Sequence, residues 1–214
     1  MEYSLNRKGK QVNYLKFDTS TFSLIAANII TLIIAVLQHW SLITLLWIYW
    51  FQSVTIGIFN FIRILNLKKF NTDNFKMNGI QPQAIAKTKY VVASFFAFHY
   101  GFFHFVYFIF LMVASIGQAL KGFSFSTIWF VLISAAIFFA NHLFSFMKSF
   151  KVERDKEQNL GKVLFFPYAR IIPMHLCIIF GFAFGASIIG LIIFTALKTV
   201  ADVIMHQVEH AESY

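Results

Sequence analysis

The sequence predicts an all-α polytopic membrane protein: a single domain over residues 1–214 with six transmembrane helices and both termini in the cytoplasm. Hydrophobic residues make up 58% of the chain and aromatic residues 19%, and the mean hydropathy is +0.68. These values lie far from those of soluble globular domains. The apolar residues are grouped in runs of about 20, the length that crosses a bilayer as a helix. The expected location is the cytoplasmic (inner) membrane, with the lipid bilayer as the first partner.

Six such runs follow one another along the chain. The first has no small-residue cleavage pattern after it, so we interpret it as a retained helix and not as a signal peptide. The turn at residues 39–41 is short enough to require an antiparallel pair of helices on either side. Pro167 and Pro173 mark the start of the fifth run. The predicted helices cover residues 21–38, 41–64, 90–114, 125–147, 165–183 and 186–208.

The distribution of basic residues predicts the orientation of these helices. Sixteen of the 18 Lys and Arg residues precede the first run or flank the connections after the second and fourth runs. Lys121 lies in a connection on the other side, and Lys198 lies inside the last run. This is the positive-inside pattern, which places both termini in the cytoplasm. The net charge of +9 therefore reflects membrane topology, and no nucleic-acid partner is predicted.

The last run carries the main cluster of ionisable residues. Five polar residues share an arc of about 80° on a helical projection, with apolar residues opposite. They are Thr195, Lys198, Asp202, His206 and Glu209. Such a stripe is costly against hydrocarbon, so we expect it to face other helices or a wet cavity.

Histidines in three other runs are predicted to lie at a similar depth. His142 is near the cytoplasmic end of the fourth run, His175 is about two turns into the fifth, and His99 is a little deeper in the third. His39 and His104 fall outside this layer. Tyr100, His104 and Tyr107 are predicted to share one face of the third helix, with His99 on another. The sequence therefore predicts a His/Asp cluster within the membrane, near the cytoplasmic side.

Imidazole and carboxylate groups are suitable ligands for zinc or another divalent metal. The predicted ligands are His142, His175, Asp202 and His206. A bound ion would turn water into a nucleophile that attacks a membrane-borne or small-molecule substrate. The predicted catalytic residues, for proton transfer or orientation, are His99, Ser145 and Glu209. This set predicts a metal-dependent intramembrane enzyme of the hydrolase class. The residue types resemble those of the ceramidase and adiponectin-receptor group, but that group has seven helices, so neither substrate nor mechanism is transferred.

Three other interpretations stay open. His99 and His175 can ligate haem b in a redox membrane subunit. Lys198, Asp202, His206 and Glu209 can form a proton or ion path with Arg63 in a coupled transporter, because histidine titrates in the physiological range. The third is a non-catalytic partner subunit, in which the histidines are hydrogen-bonded core residues and Lys198 with Asp202 is an intrahelical pair. A homo-oligomer or a larger membrane complex fits each of them.

Three strings of the sequence resemble a family of bacterial and archaeal membrane proteins, the domain of unknown function 6498. They are HYGFFHFVY (99–107), PYARIIPMH (167–175) and LKTVADVIMHQVEH (197–210). The resemblance covers most of the chain from the second helix onward. It implies a small polytopic membrane protein and carries no established activity.

Overall fold

The computed structural model describes residues 19–119, 126–176 and 188–211, and this part of the chain is predominantly helical, as predicted. Helix α6 is described over residues 171–176, and the helix after it is α7. The other elements, in chain order, are α1 (Thr19–Leu37), α2 (Leu42–Asn66), β1 (Phe70–Asn71), α3 (Ala86–Ala119), α4 (Ser126–Asp155), β2 (Gln158–Asn159), α5 (Leu160–Phe165), a 3-10 helix (Phe166–Arg170) and, after α6, α7 (Ile188–Ala211).

Three of these helices are long and apolar enough to cross a membrane: Leu42–Asn66, Ala86–Gly117 and Ile128–Lys148. A shorter apolar stretch covers Asn28–Leu37. The class of a helical, membrane-type protein is thus confirmed. The count of six spans, the single domain and the cytoplasmic termini remain predictions.

The second helix lies at the centre of the bundle. In the most apolar 18-residue stretch of α2, 61% is buried inside the protein. The corresponding shares are 22% for α3 and 6% for α4. Both α3 and α4 pack against α2, and α7 contacts it as well. The start of α2 is fixed by Ser41, whose hydroxyl accepts a hydrogen bond from the Thr44 amide. Because α2 is surrounded by its neighbours, polar side chains such as those of Ser53 and Asn60 reach other helices.

The first helix ends in a tight turn, as predicted, and His39 adopts a positive φ of 52° there. The described part of α1 packs mainly against α7. The predicted hairpin therefore reverses the chain direction, but α2 is not the main neighbour of α1. A polar contact between Asn28 of α1 and Lys198 of α7 accompanies this packing.

The fifth apolar run differs from the continuous helix predicted for residues 165–183. Its first residues belong to α5 and to the 3-10 helix, and α6 begins only at residue 171. Pro167 lies in the first turn of the 3-10 helix, where its missing N–H donor costs no hydrogen bond. Residues 177–187, which include Cys177, lie outside the described part of the chain.

A two-residue parallel pairing joins the connections that follow α2 and α4. Phe70 is in register with Gln158 and Asn71 with Asn159. The Asn159 amide donates to the Asn71 side-chain oxygen at 2.9 Å. Beside the strands, Lys68 forms an ion pair with Asp155 at 2.9 Å. The two basic connections thus lie at the same end of the bundle, as the charge pattern requires.

Helices α2 and α3 approach most closely at Gly57. A Cβ atom at this position would overlap the ring of Tyr100, whereas a Cβ at Gly101 on α3 would meet no atom within 4 Å. The absence of a side chain at Gly57 therefore lets the Tyr100 ring lie against α2.

We predict that Gly57→Ala destabilises the protein by about 1–3 kcal/mol, the usual cost of overpacking. The added methyl group has to push the Tyr100 ring, and with it α3, away from α2. Gly101→Ala is the matched control and is expected to be tolerated. Unfolding of both variants in detergent micelles checks this, and equal stability of the two would contradict the close approach.

A second prediction concerns the ion pair beside the strands. Hydrogen bonds from Lys68 and then Arg154 lower the pKa of the Asp155 carboxyl below its ordinary value. A carboxylate with a lowered pKa stabilises the fold above its ordinary pKa, and this contribution is lost as the pH falls through the lowered value. We expect Lys68→Met to raise the Asp155 pKa in an NMR titration and Lys69→Met, which removes the same charge, to change it less. Both groups are largely exposed, so salt should weaken the difference.

Candidate functional site

The residues predicted as metal ligands have separate surroundings. On α4, the His142 ring stacks on Phe138 at a centroid distance of 4.4 Å and lies 6.4 Å from the Phe59 ring of α2. On α6, His175 Nδ1 lies 3.0 Å from the Tyr107 hydroxyl of α3. On α7, Asp202 is bound to Lys198. These three predicted ligands are therefore each engaged with different neighbours.

Two of them also meet α2 at different heights. Lys198 lies over the ring of Tyr49, whereas His142 lies beside Phe59. These two contact points are about 15 Å apart along α2 at the ordinary helical rise. In the predicted topology Tyr49 belongs to the outer half of α2. The Lys198–Asp202 pair and His142 therefore contact α2 at different heights of the bundle.

The remaining predicted site residues are only partly described. His99 is half-buried, with Nδ1 3.0 Å from the hydroxyl of Tyr168 in the 3-10 helix. The side chains of Ser145, His206 and Glu209 lie outside the described part of the structure. Within residues 19–119, 126–176 and 188–211, so far as their side chains are described, no three His, Cys, Asp or Glu residues are close enough to hold a metal ion. The proposed ligand set, which includes His206, therefore remains a prediction.

A partly buried polar site is built around Lys198. Its ammonium group donates to Asp202 Oδ2 at 2.7 Å and to Asn28 Oδ1 of α1 at 2.9 Å. It also lies 5.5 Å from the ring centroid of Tyr49 on α2, a cation–π distance. The site thus links three helices through one cation.

Burial makes this arrangement energetically important. The Asp202 side chain is 4% exposed and that of Lys198 is 20% exposed. Asn28 and Tyr49 are buried as well. The intrahelical Lys198–Asp202 pair predicted from the i, i+4 spacing is confirmed, and the structure adds partners from α1 and α2 that the spacing alone did not indicate.

A second polar network, missed by the sequence interpretation, joins α2 to α3. His104 Nδ1 lies 2.9 Å from the Tyr100 carbonyl, which can only accept, so this nitrogen carries a proton. In neutral His104 the other nitrogen, Nε2, is an acceptor, and the Ser53 hydroxyl donates to it at 2.9 Å. The Tyr100 hydroxyl donates to the Ser53 carbonyl at 2.9 Å. The three side chains therefore form a closed set of hydrogen bonds between the two helices.

A serine hydrogen-bonded to a histidine is also the geometry of an activated nucleophile. Here Ser53 is 1% exposed and His104 is 5% exposed, and Tyr100 stacks on the His104 ring at 4.3 Å. No space for a substrate is left beside the hydroxyl by these contacts. We therefore interpret the network as a structural connection between α2 and α3.

The third helix carries two neighbouring rows of rings at i, i+4 spacing. One row, with Tyr100 and His104, faces α2; the other, with His99, Phe103 and Tyr107, faces the 3-10 helix and α6. The predicted grouping of Tyr100, His104 and Tyr107 agrees with their burial and with the contact between the His104 and Tyr107 rings, and the Tyr107 hydroxyl in addition bonds to His175. The sequence contains an indication of the first row, because Ser53 and Gly57 on α2 have the same i, i+4 spacing as Tyr100 and His104 on α3.

Comparison with known proteins identifies the family of this chain but does not assign an activity to it. A family of unknown function (DUF6498) matches residues 14–213, which is nearly the whole chain, and the protein belongs to this family. No curated protein and no solved structure matches the chain significantly.

We predict that Ser53→Ala destabilises the protein by about 1–3 kcal/mol, because it leaves the buried His104 Nε2 without its donor. Thr55→Ala is a control on the same helix, since the Thr55 hydroxyl bonds only to the Phe51 carbonyl of its own helix. Unfolding in micelles gives the free energies, and the ¹⁵N shift of His104 Nε2 reports the lost hydrogen bond. An unchanged shift in Ser53→Ala would contradict the network.

Proposed function

We propose that this member of the DUF6498 family is a proton-coupled membrane transporter in which the Lys198–Asp202 pair takes up and releases the proton. The observation that carries the proposal is an ion pair on α7 with bonds to α1 and α2. The buried carboxylate supplies the titrating group, and the lysine supplies the contact to neighbouring helices.

The position of the pair argues for a function beyond stability. Tyr49, the ring under Lys198, lies about 10 Å from the start of the apolar helix α2 at the ordinary rise per residue. Ionisable groups at such a depth are costly, and they are typical of ion pathways and proton relays. An apolar pair of similar volume at these positions would often be as stable or more stable. A chain that needs only helix packing has no use for the charges.

Protonation changes what Asp202 can do. An ionised carboxylate only accepts hydrogen bonds, and the Lys198 ammonium only donates them. When Oδ2 gains a proton, the 2.7 Å contact loses its acceptor charge, and the carboxyl group has to turn or the lysine has to leave. Lys198 then keeps Asn28 and the Tyr49 ring as partners. The proton thus changes the balance of contacts that hold α7 against α1 and α2, which gives two states for coupled transport.

The geometry around Asp202 favours this proposal over the metal-dependent hydrolase. A divalent cation at Asp202 would lie next to the Lys198 ammonium, and the two positive charges would repel each other. The catalytic and ligand roles predicted for Ser145, His206 and Glu209 nevertheless stay predictions. Metal analysis of the purified protein tests them directly, since stoichiometric zinc lost in His142→Ala would replace the transport proposal by the hydrolase.

One observation favours haem as a second candidate. The Nδ1 atoms of His99 and His175 are both held by tyrosine hydroxyls, and such a bond orients a histidine whose other nitrogen binds a metal. The centroid of the Phe103 ring lies 5.1 Å from that of the His99 ring and 6.4 Å from that of the His175 ring. A Soret band in the purified protein, lost in His175→Ala, would support a haem b redox subunit.

The test of the transport proposal is the titration of Asp202 in the full-length protein reconstituted in vesicles. As the pH falls, the infrared spectrum should gain a carboxylic acid C=O band that is absent from Asp202→Asn. Proton flux driven by an imposed membrane potential should fall at least tenfold in that variant. Thr199→Val is the control, because the Thr199 hydroxyl bonds to the Thr195 carbonyl of its own helix. Identical pH-difference spectra of wild type and Asp202→Asn would refute the proposal.

Stability measurements separate this role from a structural one. Lys198→Met leaves Asp202 as a buried charge without its ion-pair partner, so we expect a loss of about 3–5 kcal/mol. The double variant Lys198→Met/Asp202→Leu should recover most of this loss and still lack the titrating band and the flux. Retained flux in the stable double variant would show that the pair only packs the helices.

A further inference from the structure

An apolar cleft lies between α3 and α4, with α2 beneath it. It encloses about 260 Å³, and the side chains around it include Trp47 of α2, Met112 and Ser115 of α3, and Val131 and Leu132 of α4. The cleft is separate from the Lys198 site and from the hydrogen bonds between Ser53 and His104, since none of these residues lines it. Its role is therefore independent of the proposed proton coupling.

The few polar groups in the lining are already hydrogen-bonded. The Trp47 indole N–H donates to Ser115 Oγ at 2.9 Å. The Thr44 hydroxyl lies 3.0 Å from the Ser41 hydroxyl. A buried water needs two to four polar partners, so this interior is unsuitable for ordered water. The chemistry of the lining fits a hydrocarbon.

The mouth of the cleft faces the same direction as the lipid-exposed surface. Met112, Ile128 and Leu132 at the rim are 43%, 42% and 45% exposed, whereas Val131 is 8% exposed. All three helices around the cleft are among those long and apolar enough to span a membrane. The opening between α3 and α4 is therefore in contact with the bilayer interior.

We propose that this cleft is a binding site for one acyl chain of a membrane lipid. Lipid tails are as apolar as the lining, so van der Waals contact and not the hydrophobic effect drives the association. An empty cleft would leave its lining atoms without these contacts. The cleft includes Thr44, in the first turn of α2, and thus reaches the end of a spanning helix. The headgroup then stays at the membrane surface near Ser41 while one chain lies between α3 and α4.

Photo-crosslinking tests the proposal with the full-length protein in phosphatidylcholine vesicles. A small fraction of the lipid carries a diazirine on one acyl chain, and mass spectrometry locates the labelled peptides. We expect labelling of Trp47 or Val131, which lie inside the cleft. Val131→Phe adds a ring to the buried wall of the cleft and should reduce this labelling at least fivefold. Leu132→Phe, at the rim, should reduce it as well, which keeps the test valid if Val131→Phe does not fold.

Ile133→Phe is the matched control. Ile133 is 54% exposed, adjoins Leu132 in sequence and does not line the cleft. Labelling inside the cleft should be unchanged in this variant. Labels confined to exposed positions such as Ile133, with none on Trp47 or Val131, would overturn the proposal. With unlabelled lipid and a photoreactive amino acid at position 132 instead, crosslinks between two protein chains would overturn it too, since they would identify a second copy of the chain as the occupant.

Discussion

The Lys198 ammonium group makes two hydrogen bonds and one cation–π contact. These contacts hold α7 against α1 and α2, which are far from it in the sequence. Lys198 joins α7 to Asn28 on α1 and to Tyr49 on α2, in a region where hydrocarbon offers no alternative partner. Loss of any of these contacts would leave a polar group to be satisfied by rearrangement of whole helices. In the proposed transport mechanism, these contacts couple the position of α7 to the charge state of Asp202.

The same constraint explains the rest of the bundle around α2. The Trp50 indole donates to the His104 carbonyl at 2.9 Å, and the Asn60 amide donates to the Val163 carbonyl at 3.0 Å. Trp50 and Asn60 of α2 thus reach different neighbours at different heights of the bundle. The apolar stretches of α3 and α4 are little buried by comparison with that of α2. The cleft proposed to bind an acyl chain lies on this outer, apolar side.

Much of this organisation could be predicted from the sequence. Run length predicted the three helices that are long and apolar enough to span a membrane, and the i, i+4 spacing allowed the Lys198–Asp202 pair as one interpretation. Periodicity within a helix shows which residues share a face, but it does not show which neighbour that face meets or at what height. The contact between Asn28 and Lys198, residues 170 apart, depends on how α1 and α7 pack. For the same reason, the sequence did not predict the buried partners of His104, which was placed outside the histidine layer. It also did not predict that His175 lies beside Tyr107 and not beside His142.

The pairing of β1 with β2 has a consequence for biosynthesis. Asn71 and Asn159 are 88 residues apart, so at about 5–20 residues per second the second partner emerges about 4–18 s after the first. During this interval α3 and α4 are made, while the segment after α2 lacks its strand partner. The small parallel pairing can therefore form only late in translation, and it closes this end of the bundle after the central helices have been synthesised.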